Sequence, residues 1–324
     1  MIRFAVIGTN WISESFIEAA HQSDKMQLCA VYSRNLENAR TFAARYDVSL
    51  FFDDLSLLAA SDAFDAVYIA SPNSLHCQQS ILMLESGKHV VCEKPLGSNI
   101  AEVEKMYETA RRHDHVLFEA YKSAYIPSFK QVKASLPELG RVHKASLHFC
   151  QYSSRYQKYL NGENPNTFNS KFSNGSIMDI GYYCVAAAVE LFGEPTGIQA
   201  SAKLLESGVD GHGSVILDYP GFEAVISHSK VSGSNIPNEI QGEEGSLVID
   251  KISGCRKVVM HKRDGSTRDI SRESNDNNMI YEAREFARQI ADGAMDEQAV
   301  ARSVAIARVI TEIRRQTGVV FPAD

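Results

Sequence analysis

His89-Val90-Val91-Cys92-Glu93-Lys94-Pro95 is an apolar run that ends abruptly in an acid, a base and a proline. Val90, Val91 and Cys92 predict a short strand buried on both faces. A brief apolar run between turn residues, Gly87 before it and Pro95 and Gly97 after it, suits a parallel sheet. Glu93 and Lys94 then fall at the strand's carboxyl end, where open α/β sheets bind their ligands. Position alone makes Lys94 a candidate site residue; the competing reading is a solvated loop pair of little consequence.

Working outward, the amino-terminal side repeats strand, turn and helix. Residues 2–7 are an apolar strand, Gly8 breaks it, and Ile12, Phe16, Ile17 and Ala20 mark one face of a helix. That order suits a dinucleotide-binding unit, whose pyrophosphate rests against helix N-terminal N–H groups. The turn Gly8-Thr9-Asn10-Trp11-Ile12-Ser13 keeps only the first of the three usual glycines. Asn10, which tolerates left-handed backbone, and the small Ser13 stand at the other two places. A second strand, Leu28 to Tyr32, ends in Ser33-Arg34. NAD sites usually place an acid there for the ribose 2'-hydroxyl, whereas a small polar residue followed by Arg suits a 2'-phosphate, so NADP is expected in preference to NAD.

Residues 36–46 read as a helix, 50–52 as a short strand and 65–70 as a buried strand. The last of these runs into Ser71-Pro72-Asn73-Ser74-Leu75-His76. Pro72 stops the strand, Ser74 is the expected cap of a helix reaching Ser86, and His76 is a candidate ligand contact or a structural histidine. With a helix from Ala101 to Arg112 and the strand Val116 to Phe118, residues 1–120 form a doubly wound parallel domain of the α/β class.

From residue 121 to 324 the pattern changes to α+β. After a helix at 127–136, long alternating strands at 142–152, 198–205, 212–219, 222–230, 246–250 and 256–262 predict a mainly antiparallel sheet. One face of that sheet is left for solvent or a partner subunit, so a homodimer or homotetramer through it is expected. Two helices, 279–291 and 297–316, close the chain. Within this region Asn174-Gly175-Ser176-Ile177-Met178-Asp179-Ile180-Gly181-Tyr182-Tyr183 leads into a helix over 178–192. Asp179 and Tyr183, four apart, share one face and can read a substrate hydroxyl. The alternative is a dipole-stabilising Asp beside a packing Tyr.

Composition narrows the function classes. A chain of 324 residues with 44% hydrophobic and 23% charged content is globular and long enough for two domains. The formal charge of -7 argues against nucleic acid or an anionic membrane as partner and leaves a small molecule. No apolar run reads as a membrane span, and Met1-Ile2-Arg3-Phe4 enters a strand instead of a signal peptide, so a cytoplasmic protein is expected. Six cysteines without CxxC or any other metal-binding spacing read as free thiols, and no metal site is expected.

Several stretches, in order, resemble the glucose-fructose oxidoreductase, inositol dehydrogenase and MocA family. They are Gly8 to Ser13, Ser71-Pro72-Asn73 with His76, Gly87-Lys88-His89 running to Glu93-Lys94-Pro95, Glu119-Ala120 with Pro127, and Asp179-Ile180-Gly181-Tyr182-Tyr183. Tyr183, where the family commonly has His, resembles the branch with glucose-fructose oxidoreductase, dimeric dihydrodiol dehydrogenase and NADP-dependent xylose dehydrogenase. The resemblance implies an NAD(P)-dependent oxidoreductase acting on a sugar or related polyhydroxy compound. Lys94 would lie beside nicotinamide and substrate, Tyr183 would be the acid-base group, and Asp179 would hold substrate hydroxyls. It places Gly8, Thr9, Asn10, Trp11, Ile12, Ser33, Arg34, Ser71, Pro72, Asn73, His76, Glu93 and Lys94 around the cofactor. Ala124 and Ile126 depart from the family's Arg and aromatic or His, with Lys122 and Tyr125 nearby as replacements. Two other functions fit the same residues: a dihydrodiol or dicarbonyl reductase, and an inactive NADP-binding sensor.

Overall fold

The computed structural model describes residues 1–324. Six parallel strands form the first sheet: β1 (Ile2–Ile7), β2 (Met26–Tyr32), β3 (Leu50–Phe52), β4 (Ala66–Ile69), β5 (His89–Glu93) and β6 (Leu117–Ala120). Their spatial order, β3-β2-β1-β4-β5-β6, reverses direction between β1 and β4 and opens a crevice at those two carboxyl ends. The helices between them are α1 (Trp11–Gln22), α2 (Leu36–Ala44), α3 (Leu55–Ala59), α4 (His76–Glu85) and α5 (Ile100–Arg112).

Local chemistry sets the helix starts. Asn10, Asn35, Asp54 and Asn99 each turn a side-chain oxygen onto the first-turn N–H groups of α1, α2, α3 and α5. Ser74 does not cap α4 as expected; Asn73–Leu75 forms a 3-10 turn that runs into the helix without a side-chain cap. On α1, Phe16 and Ile17 are fully buried, worth about 2 kcal/mol or more each. The Phe16 ring stacks on Tyr68 of β4 at 3.9 Å and meets Phe4 of β1 edge-on at 5.9 Å, fixing the helix against the sheet.

The chain divides into two compact units, residues 1–122 with 275–303, and 123–274 with 304–324. This differs from two contiguous domains meeting at 120. Helix α9 (Met279–Asp292) belongs with the first unit because Ile280, Ala283 and Phe286 are buried there, the Phe286 ring 5.8 Å from Phe118.

The second unit holds α6 (Pro127–Ser135), α7 (Tyr156–Leu160) and α8 (Tyr182–Phe192). Its eight strands are β7 (Val142–Cys150), β8 (Gly197–Leu204), β9 (Asp210–Tyr219), β10 (Phe222–Ser229), β11 (Asn238–Gly242), β12 (Gly245–Ile249), β13 (Val258–Lys262) and β14 (Thr267–Asp269). They run in the order β14-β13-β12-β11-β7-β10-β9-β8, and every pairing is antiparallel except β7 with β10. The helix α10 (Glu297–Thr317) follows α9. By length and mean hydropathy (1.3) the stretch Ser170–Phe192 could cross a membrane, which corrects the expectation that no run qualifies. Within its apolar window 78% is buried inside the structure, as in a core helix.

Candidate active site

The cofactor half begins at Gly8, which closes β1 at φ +113. A Cβ there would lie 2.8 Å from the Ala70 carbonyl oxygen, so the close approach of the β1 and β4 ends requires glycine. Asn10 does not use the left-handed backbone that it tolerates. It adopts φ -106 as the N-cap of α1, its Oδ1 accepting from Ile12 N and Ser13 N at 3.0 and 3.2 Å, while its Nδ2 donates to Ala70 O at 2.8 Å. Ser13 is fully buried and Trp11, the chain's one tryptophan, is 70% exposed. Thr9 lies between Gly8 and the cap, and Ile12 is in the first turn. This is a glycine turn leading into a helix N-terminus, which suits a dinucleotide's phosphates. Ser33 follows β2 directly, its backbone N–H bonded to Phe52 O at 3.1 Å, and Arg34 after it is exposed.

Across the crevice, the Ser71 hydroxyl donates to Gln79 Oε1 at 2.7 Å, and Pro72 and Asn73 lead into α4. His76 is fully buried, with Nδ1 2.9 Å from Pro95 O and Nε2 2.9 Å from Ser71 O. Burial outweighs the two carbonyls and holds the imidazole below its ordinary range, with the Lys94 charge adding to the lowering. His76 is therefore a tie between the loops after β4 and β5, and the ligand contact considered for it is not available to either ring nitrogen.

Glu93 and Lys94 are not an idle solvated pair. Glu93 closes β5, and the Tyr68 hydroxyl donates to its Oε1 at 2.6 Å. Burial raises the Glu93 carboxyl above its ordinary value, against the Tyr68 bond and the charges of Lys94 and Lys122. Beneath it Glu282 of α9 is completely buried, with no hydrogen-bond partner for either carboxyl oxygen. Burial first, and Glu93 second, push the Glu282 carboxyl well above its ordinary value, which favours its neutral form. Lys122 faces these two acids electrostatically. Tyr125 and Ile126 are buried.

The candidate residues of the second unit are organised around a turn of π-helix, Ile177–Gly181, that feeds α8. Asp210 of β9 accepts Ser176 N at 3.1 Å and Ile177 N at 2.7 Å, capping this turn from outside. His228 Nδ1 meets the Ser176 hydroxyl at 2.8 Å, and its ring packs where a Cβ on Gly181 would come within 3.0 Å. The π-turn, unlike the regular helix expected over 178–192, is a feature common at functional sites. Asp210 supplies the capping acceptor, and Asp179, the acid in the first turn, has its Oδ2 2.7 Å from Lys230 Nζ. Tyr183, in the first turn of α8, packs its ring 5.7 Å from Phe149 and 6.0 Å from Tyr182.

Lys230 is the residue that sequence reasoning missed. Ala224, Ile226 and His228 form the buried face of β10, and Lys230, one residue beyond the strand's end at Ser229, is buried after them. No group of three His, Cys, Asp or Glu side chains is arranged to hold a metal ion.

Comparison with known proteins matches both parts of the chain. Residues 2–121 match the model of the oxidoreductase family with an NAD-binding Rossmann fold, and residues 131–248 match the GFO/IDH/MocA C-terminal domain. The chain belongs to the GFO/IDH/MocA family. This member is 55% identical over 324 residues to the oxidoreductase YgjR of Escherichia coli K12 (100% of this chain, 99% of that one). It is 48% identical over 326 residues to scyllo-inositol 2-dehydrogenase (NADP(+)) IolU of Bacillus subtilis 168, with the same coverage. Among solved structures, the 3-ketoreductase KijD10 of Actinomadura kijaniata with NADP and TDP-benzene superposes at TM-score 0.87. At 22% identity over 98% of both chains, it shares the fold. The GFO/IDH/MocA protein is thus an NAD(P)-dependent oxidoreductase acting on CH–OH groups.

Proposed function

We propose that the protein is an NADP-dependent dehydrogenase or reductase of polyhydroxy compounds, with a cyclitol or sugar as substrate. The observation that carries this reading is full-length identity of 48% to an NADP(+)-dependent scyllo-inositol dehydrogenase. Ser33-Arg34 supports the cofactor: an exposed guanidinium directly after β2 stands where a 2'-phosphate is recognised. Gly8, Thr9, Asn10, Trp11 and Ile12 would bind the pyrophosphate, and Ser71, Pro72, Asn73, Glu93 and Lys94 would border the rest, with His76 securing two of these loops.

A bound nicotinamide supplies the hydride acceptor or donor. In oxidation, Tyr183 takes the hydroxyl proton as the carbonyl forms; in reduction it returns that proton to the oxygen. A phenol, with a free pKa of about 10, needs a nearby positive charge to act as a base near neutrality, and Lys94 is assigned that role. Lys94 also stabilises negative charge on the substrate oxygen, and Asp179 holds a neighbouring hydroxyl.

Lys94→Ala and Tyr183→Phe should each lower kcat by about 100-fold or more in an NADP+-reduction assay with scyllo-inositol and related polyols. Unchanged turnover in either variant would overturn the assignment. Arg34→Ala should weaken NADPH binding about tenfold or more and leave NADH nearly unaffected, as read from quenching of Trp11 fluorescence. Equal loss for both cofactors would argue against phosphate recognition.

A dihydrodiol reductase is the second reading, favoured by 28% identity over 338 residues to the mouse trans-1,2-dihydrobenzene-1,2-diol dehydrogenase. Relative kcat/KM on inositols and dihydrodiols separates the two. A sensor without catalysis would bind NADPH and turn over neither. We assign the active form to a cytoplasmic homodimer or homotetramer built through the eight-stranded sheet. Its β9 exposes Ile216 and β8 exposes Leu204, and sedimentation velocity tests the assembly.

A further inference from the structure

Lys230 is almost completely buried (2% exposed), an uncommon place for an ammonium unless something is organised around it. Its three N–H bonds meet three oxygens: Asp179 Oδ2 at 2.7 Å, Thr167 O at 3.1 Å and Asn174 Oδ1 at 3.3 Å. The Phe168 ring covers it from 5.1 Å. With all three hydrogens committed, the ammonium has none to offer a substrate. What it does is fix other groups. Thr167, Phe168 and Asn174 belong to the segment between β7 and the π-turn, so one charge ties that segment to Asp179 and to the end of β10.

We propose that Lys230 is the positioning residue of the substrate half: it holds Asp179 as an aimed, permanent anion that accepts a hydrogen bond from a second substrate hydroxyl and does not itself take up a proton. This rests on the oxidoreductase reading above, because the second hydroxyl is what distinguishes a polyol from a simple alcohol or ketone. The geometry is asymmetric in the way this role needs. Asp179 keeps 34% of its side chain accessible while Lys230 keeps 3%, so the carboxylate meets the solvent side and the cation lies behind it. Without that cation, the half-desolvated carboxylate would be easier to protonate, and a protonated acid is a poorer acceptor. His228, two residues earlier and near the end of β10, is committed to Ser176 and Asp210 and offers Asp179 no replacement charge.

The test compares Lys230→Met and Lys230→Arg in the full-length protein. Lys230→Met should raise KM for the polyol about tenfold with a smaller change in kcat, and move the acid limb of kcat/KM upward by about one pH unit. Lys230→Arg, which keeps the charge, should leave the acid limb where it is. Trp11 fluorescence with NADPH, reporting the cofactor half, should be the same for all three. A strut that only supports the fold would lower the amount of active protein and leave the pH profile unmoved, and that result overturns the proposal.

Where Lys230→Met does not fold, the wild-type protein decides. With carboxyl-13C aspartate and Asp179→Asn for assignment, Asp179 should titrate below the ordinary aspartate value of about 3.9; titration at or above it overturns the proposal. That measurement needs no turnover. An inactive enzyme with a low-titrating Asp179 would therefore refute the proposed function while leaving standing that Lys230 holds Asp179 as an anion.

Discussion

Asp179 and Glu282 are both acids drawn toward the interior of their own units, and the two units treat them in opposite ways. Asp179 has an ammonium 2.7 Å from one oxygen and keeps a third of its side chain in contact with water. Glu282 has neither oxygen hydrogen-bonded and is fully buried, with the Glu93 carboxyl as an unfavourable neighbour. The first has a counter-charge on one side and water on the other; the second has burial and a like-charged neighbour, both of which favour its neutral form. Acid content near a site therefore says little until the position of the counter-charge is known.

The comparison can be broken at either end. Asp179→Asn leaves Lys230 without its ion pair and should cost on the order of 2 kcal/mol, less than for a fully dry pair because Asp179 retains water. Urea unfolding at neutral pH reads it, and an unchanged midpoint would mean the two charges are not coupled. Glu282→Gln should act in the opposite direction at neutral pH and with a distinctive pH dependence. The folded carboxyl titrates above its unfolded value, so its stability contribution is fully present below about pH 4.3 and is lost as pH rises. The difference between variant and wild type should therefore shift in the variant's favour by about 1.4 kcal/mol for each pH unit above that value, until the folded carboxyl ionises. A shift in the opposite direction would show that Glu282 is charged and paired.

Much of the fold was legible because its elements have strong periods. The doubly wound sheet follows from apolar runs punctuated by glycine and proline, and Glu93 and Lys94 are located by ending one of them. The strands Asn238–Gly242 and Thr267–Asp269 escaped because they carry one apolar side chain between them, Ile240, and are held by neighbours instead of by pattern. The helix Leu55–Ala59 is too short to show a period. At the site, Asp179 and Tyr183 stand out by type and spacing, whereas the π-turn depends on Asp210, more than 25 residues further on, and on the room left by Gly181. Lys230 and Glu282 were overlooked for the same reason. Each is a charged residue on an otherwise apolar face, and reading only the apolar members of a face discards it.

The position of α9 makes the cofactor half something other than a detachable module. Its chain leaves at residue 122 and returns only at 275, after the whole eight-stranded sheet has been laid down. A fragment cut at 122 would contain every strand of the parallel sheet yet strip α1 and Phe118 of their cover and remove the Glu282 carboxyl from beneath Glu93. During synthesis the same gap means that the dinucleotide-binding unit is completed only after most of its companion has been made. A gene fusion or domain exchange would have to carry both segments, not one.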